Sequence, residues 1–116
     1  MSNYAKYLLR LEGGLVGALA IWFYAMQIGN WWLFALLILT PDLSALGYLK
    51  DKETGTFAYN TVHSYIVPAL LAAATWFLGF EWLAPHFAIW FAHIGIDRLV
   101  GYGMKFPTDH KRNHLN

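Results

Sequence analysis

The stretch Gly13 to Pro41, GGLVGALAIWFYAMQIGNWWLFALLILTP, decides the fold. It contains no charged residue, and as one straight helix it would run about 44 Å, well beyond a hydrocarbon core of about 30 Å. The chain must therefore turn back inside it. Gly29-Asn30 is the natural break, because both residues tolerate turn geometry and Trp31-Trp32, directly after it, carry rings that favour a membrane interface. The reading predicts helix 1 from Leu11 to Ile28 and helix 2 from Trp31 to about Tyr48.

Working outward, Thr54 to Phe80 is again free of charge, Glu81 interrupts, and Trp82 to Tyr102 is apolar apart from Asp97-Arg98. Helix 3 is predicted over Phe57 to Leu78 and helix 4 over Trp82 to Tyr102, with a tail from Gly103 to Asn116. Each span is near the roughly 20 residues that a bilayer requires, and the connections are short, so successive helices should be antiparallel neighbours. The expected architecture is all-α: one transmembrane domain over residues 1–116, an up-down four-helix bundle. A soluble helical core would need a polar face, and Ile21 to Tyr24 and Trp31 to Leu39 leave no side for water.

Composition agrees. The chain is 58% hydrophobic, 18% aromatic and 13% charged, against roughly 25% charged in an average soluble domain. Eight Lys and Arg against seven Asp and Glu give no field strong enough to recruit nucleic acid. The absence of cysteine excludes disulfides, thiolate nucleophiles and thiolate metal ligands, so any metal would need His and carboxylate. Positive charge falls before helix 1 (Lys6, Arg10), between helices 2 and 3 (Lys50, Lys52) and after helix 4 (Lys105, Lys111, Arg112), while the two opposite turns have none. Both termini should therefore face the cytoplasm.

Counting helical rise from that edge places Glu12, Asp42, Ser44, Asn60, His63, His93 and Asp97 in one layer. A carboxylate at mid-membrane costs about 2.5–3.5 kcal/mol on insertion scales, so these groups should converge inside the bundle rather than face lipid. His93 and Asp97 share a face at a spacing of four, with Trp90 and Gly101 extending it, and Tyr59 and His63 form an equivalent pair. Pro41 frees a backbone carbonyl beside Asp42 that a polar pocket would satisfy. Gly13 and Gly17 form a GxxxG spacing that points to helix contact, within the chain or with a second copy.

His63, His93, Asp42 and Asp97 are ligand types for Zn²⁺ or another divalent ion at roughly 2.0–2.2 Å, with His114 of the tail as a further ligand or proton carrier. A metal there could act on a carbonyl or phosphoryl group, which would make the chain a membrane-embedded hydrolase. In that reading Asp42 is a ligand or general base, Asp97 ligates or orients His93, and Glu12 and Arg98 handle substrate charge. Asn60, Ser44 and Tyr48 would hold a small polar ligand or lipid-like substrate. His86 and His110 read as surface residues. Two other readings stand beside this one: a proton- or ion-coupled transporter working as a homodimer, which superficially resembles the small multidrug resistance transporters, and a polar network that only ties the helices together.

Several strings resemble an uncharacterised family of small bacterial membrane proteins, domain-of-unknown-function family 4260. They are Leu9-Arg10-Leu11-Glu12-Gly13, Pro41-Asp42-Leu43-Ser44 with Gly47-Tyr48, Tyr59-Asn60 with His63 and Tyr65, and His93-Ile94-Gly95-Ile96-Asp97-Arg98 continuing through Gly101 to Thr108. The resemblance covers nearly the whole chain and implies an integral membrane protein with no activity attached; with the four spans read above, the expected location is the bacterial inner membrane, multi-pass. The family ends in Thr-His-Leu-Gly where this chain has Asn113-His114-Leu115-Asn116, so His114 is kept and its neighbours differ. A PD-containing helix combined with membrane histidines is also similar to inner-membrane metal-dependent hydrolases.

Overall fold

A computed structural model describes residues 2–103 and the backbone of 105–106 and 109–113. Five α-helices carry the described chain: α1 (Asn3–Gln27), α2 (Trp31–Leu37), α3 (Lys52–Val62), α4 (Ile66–Phe77) and α5 (Ala84–Leu99). A 3-10 segment, Thr40–Leu49, follows α2, and a 3-10 turn, Glu81–Leu83, precedes α5. The backbone of Lys105–Phe106 and Asp109–Asn113 pairs as an antiparallel hairpin within the tail. His114 lies outside the described residues, as does the side chain of His110.

The all-α class stands, with five α-helices where the sequence predicts four. Helix 1 begins at Asn3 rather than Leu11, because the Ser2 hydroxyl caps it by accepting the Ala5 N–H at 3.2 Å, and charged residues before an apolar run do not end a helix. Its C-terminal turn falls at Gly29 as expected, with φ at +69°. Tyr24 pins that turn: its hydroxyl donates to the Asn30 carbonyl at 2.5 Å and its ring packs against Trp31 and Phe34. The fourth predicted helix starts at Ala84 and stops at Leu99, and the left-handed Gly101 (φ +100°) lets the Tyr102 N–H reach back to the Asp97 carbonyl at 2.7 Å.

The second and third predicted helices are each broken. Pro41 has no N–H for the Leu37 carbonyl, so the α-helix stops and the chain continues as ten residues of 3-10 helix, an unusually long run. Pro68, in the first turn of α4, likewise leaves the Ser64 carbonyl without its helical donor, and α3 ends at Val62. Proline at an early helical position is well tolerated, so α4 resumes directly from Ile66.

Packing is concentrated on α5. Its Gly95 lies so close to α1 that a Cβ there would collide with the Gly13 carbonyl oxygen and meet the Gly17 nitrogen at 2.6 Å, both backbone atoms. The GxxxG spacing of α1 is thus spent within the chain, on α5. Among the described residues the largest fully buried side chains are Tyr24, Ile89, Ile94 and Pro68, and Ala88 and Ala92 of α5 are buried as well. Most large apolar side chains are turned outward, including Leu11, Leu15, Leu19, Trp22 and Met26, which run down one face of α1.

Candidate metal centre

The two breaks meet α5, and what they leave unsatisfied explains how the polar residues are placed. In a continuous helix the Ile38 carbonyl would accept the Asp42 N–H, but that N–H turns to Leu39 at 3.2 Å in 3-10 fashion. The freed Ile38 carbonyl accepts Nδ1–H of His93 at 2.5 Å instead. The carbonyl freed by Pro41 itself, that of Leu37, accepts the Thr40 hydroxyl at 2.7 Å. At the other break the Val62 carbonyl loses its helical partner, because the Ile66 N–H goes to the Ser64 hydroxyl, and the Trp90 indole N–H fills the vacancy at 2.7 Å. Trp90 and His93, three residues apart on one face of α5, therefore stitch both breaks to the same helix.

His63 is the last residue before the second break. Its Nδ1–H donates to the Tyr59 carbonyl at 2.9 Å, and its ring stacks on the Tyr59 ring at 3.8 Å between centroids. A carbonyl can only accept, so in both histidines the neutral ring carries its proton on Nδ1 and presents a bare Nε2. The two Nε2 atoms face each other at 3.2 Å. Asp42 Oδ1 lies 3.3 Å from that of His63 and 3.2 Å from that of His93, and Asp97 Oδ2 lies 3.6 Å and 3.1 Å away. Two nitrogen lone pairs and two carboxylate oxygens thus lie within 4.8 Å of one another. Four acceptors this close repel unless a proton or a metal ion sits among them.

The fit to a metal can be tested from the spacings. Ligands at about 2.0–2.2 Å from a tetrahedral ion are separated by about 3.3–3.6 Å, the edge of the tetrahedron. The five spacings just given run from 3.1 to 3.6 Å, three of them slightly under that edge, and all four ligand atoms lie within 4.8 Å of one another, so the group comes near a tetrahedral edge without matching it at every pair. Both histidines also hold Nδ1–H against a backbone carbonyl, the outer contact that fixes the tautomer of metal-bound imidazole. This His/Asp group could hold a metal ion.

Exposure is uneven across the four side chains: 5% for His63, 7% for His93, 23% for Asp97 and 57% for Asp42. Asp42 is the open side of the group. Towards Tyr102 and Gly103 the group borders a crevice, also lined by Arg98 and Ile94, that is too narrow to admit water.

The other sequence-predicted residues that the structure describes are not among the four that supply ligand atoms. Glu12 is exposed on α1, and neither it nor Arg98 joins the ion pairs among the described residues. Arg98 instead rests over the Tyr65 ring, 4.5 Å from its centroid. Ser44 donates to the Pro41 carbonyl at 2.8 Å within its own turn, Tyr48 pairs with the Thr56 hydroxyl at 3.1 Å, and Asn60 is half-buried on α3. Sequence reasoning missed the stitching role of Trp90 and the break at Pro68. The proline was the available signal for the second.

The family described as Domain of unknown function (DUF4260) matches residues 6–116. The chain belongs to this family. All four residues of the group fall inside the matched region. Neither a curated protein nor a solved structure matches the chain. Two stretches, Asn3–Gln27 and Trp31–Leu49, are long and apolar enough to cross a membrane by length and composition.

Proposed function

We propose that this DUF4260 chain is a four-pass protein of the bacterial inner membrane with both termini cytoplasmic, and that His63, His93, Asp42 and Asp97 bind one Zn²⁺ ion that serves hydrolysis. The membrane part of the reading is supported by the apolar face of α1, Leu11, Leu15, Leu19, Trp22 and Met26, and by the outward Ile66, Leu70 and Phe77 of α4. Continuous apolar surface on that scale is unstable in water and at home against acyl chains. Broken helices at membrane depth are tolerated where the loosened backbone is buried in protein, and here α5 supplies the donors.

The single observation that carries the metal reading is the convergence of four ligand atoms within 4.8 Å of one another, with both Nε2 atoms left bare by their neighbours' carbonyls. Four protein ligands close a zinc site, and hydrolysis needs an open position. Asp42 supplies it. Most exposed of the four and carried on the 3-10 segment, it is the ligand that exchanges for water. A metal ion held by His63, His93 and Asp97 would supply Lewis acidity there and make a neighbouring water easier to deprotonate. In ester hydrolysis Asp42 would take the proton from the water that attacks the carbonyl or phosphoryl centre, and would return it to the alkoxide as the ester C–O or P–O bond breaks. A small polar or lipid-like ester reaching the site from the cytoplasmic edge is the substrate class.

Elemental analysis of the detergent-purified chain tests this, with about one ion per chain expected and background in the His63→Ala, His93→Ala variant. Asp42→Asn retains the metal with an affinity roughly 10–100-fold weaker. Wild-type protein that carries no stoichiometric metal, and takes none up from solution, sinks the reading and leaves a hydrogen-bonded knot between the breaks.

A further inference from the structure

We propose that a second pocket, at the N-terminal end of α5 and away from the His/Asp group, binds an organic ammonium ion. The pocket has a volume of about 360 Å³ and is formed where the ends of α1 and α4 meet the 3-10 turn and the start of α5. Phe23, Trp76 and Trp82 give it aromatic walls, Pro85 closes one side, and Glu81 and Gln27 are its polar groups. Ala84, from which α5 begins, is thirteen positions before Asp97, so the two sites are separated by about 20 Å of helix.

The chemistry selects the ligand. Between Lys52 and Arg98 the sequence contains no Lys or Arg, and none lies between Arg10 and Lys50, so no Lys or Arg of the helices that end here can neutralise Glu81; His86, whose ring packs against Trp82 at 6.1 Å between centroids, is the titratable neighbour and does not line the pocket. A carboxylate set among indole rings draws a cation, and tryptophan is the strongest aromatic partner for one. Hard metal ions such as Ca²⁺ demand six or more oxygens, and Glu81 and Gln27 offer too few. A quaternary or primary organic ammonium needs no ring of oxygens: its charge is met by one carboxylate and the ring faces, and its carbon surface by Phe23 and Pro85. The volume lies at the small end of ligand pockets, which suits a headgroup-sized cation. The same group occurs on free amines and on ammonium-bearing lipid headgroups.

The full-length protein in detergent is titrated with tetramethylammonium chloride, with tryptophan fluorescence as readout and sodium chloride at equal ionic strength as control. A saturable response to tetramethylammonium alone is expected, weakened about tenfold or more by Glu81→Gln and by Trp82→Leu, while the metal content of both variants stays at the wild-type level. That last measurement separates the two sites and guards against misfolding. A response that sodium chloride reproduces, or that survives both substitutions, overturns the proposal. Nanodiscs then identify the source: a response lost in phosphatidylethanolamine and kept in phosphatidylglycerol assigns the pocket to lipid headgroups, and one kept in both assigns it to a free amine.

Discussion

The α1–α5 contact and the two helix breaks are held against the same helix by opposite means. Along α1 the contact is made by missing side chains: Gly13, Gly17 and Gly95 let backbones touch, dispersion and shape do most of the rest, and a polar link, Arg10 Nε–H to the Leu99 carbonyl at 3.0 Å, lies at the C-terminal end of α5. At the breaks the backbone is disrupted, and α5 answers with directed donors, Trp90 to Val62 and His93 to Ile38. Close packing tolerates no added volume, while the stitched region tolerates no lost donor. One helix carries both kinds of contact, with Gly95 lying between His93 and Asp97, so each can be broken separately and the effect on the other observed.

The largest effect should come from His93→Ala. It removes a ligand atom and leaves the Ile38 carbonyl unpaired, which costs about 1–3 kcal/mol beyond any loss of metal. Thermal unfolding in detergent with and without a chelator distinguishes the two terms: the wild type should lose stability on chelation and the variant should not respond. A variant as chelator-sensitive as the wild type would show that the ion, if bound, is held elsewhere. Next comes Gly95→Val, which must push α1 and α5 apart against two backbone atoms and should cost roughly 1–3 kcal/mol. Metal content should survive it if the stitches alone position the histidines. Loss of the ion in this variant would break the contrast and make the glycine contact part of the site.

How far all this could be read from the sequence follows from the same contrast. Apolar length marked the helical stretches and Gly29 the first turn, because those signals are local and act through one residue's own backbone; Pro41 was legible as a loosened point, while the stop it imposes on a helix expected to run to about Tyr48 was not. The grouping of Asp42, His63, His93 and Asp97 was legible too, since burying charge leaves few alternatives to convergence. Pro68 was legible and overlooked: an apolar run on both sides of it reads as one helix when only hydropathy is followed. What no sequence pattern could reveal was which donor answers which freed carbonyl. Trp90 is an unremarkable interfacial aromatic until the Val62 carbonyl appears 2.7 Å from its indole nitrogen. Nor could the GxxxG spacing say whether it meets this chain or another copy.

A sharper version of the comparison uses Trp90→Phe, which keeps the ring and deletes only the donor. The Val62 carbonyl is then left without its indole partner, and a loss of about 0.5–2 kcal/mol is expected, less than for Gly95→Val because buried polar contacts in membranes contribute modestly. His63 sits one residue from that carbonyl, so metal affinity should fall with it while the α1–α5 contact is untouched. Unchanged metal affinity would mean that the second break is positioned by Pro68 and Tyr59 alone.

The smallest expected effect lies outside both regions, at the turn leading into α3. Asp51 caps that helix by accepting the Thr54 N–H at 2.6 Å, and this hydrogen bond to the backbone holds its carboxyl below the usual carboxylate range. A folded-state value lower than the unfolded one stabilises the protein above the unfolded pKa of about 4 and loses that stabilisation as pH falls through the folded value. The difference in melting temperature between wild type and Asp51→Ala should therefore be flat from pH 7 to about pH 5 and shrink at more acid pH. Because Asp51 is fully exposed, added salt should leave the hydrogen-bonded cap in place and weaken only its attraction to Lys50. A difference that grows as the pH is lowered would assign the cap's effect to some other group, and would remove Asp51 as the residue that fixes where α3, and with it His63, begins its approach to α5.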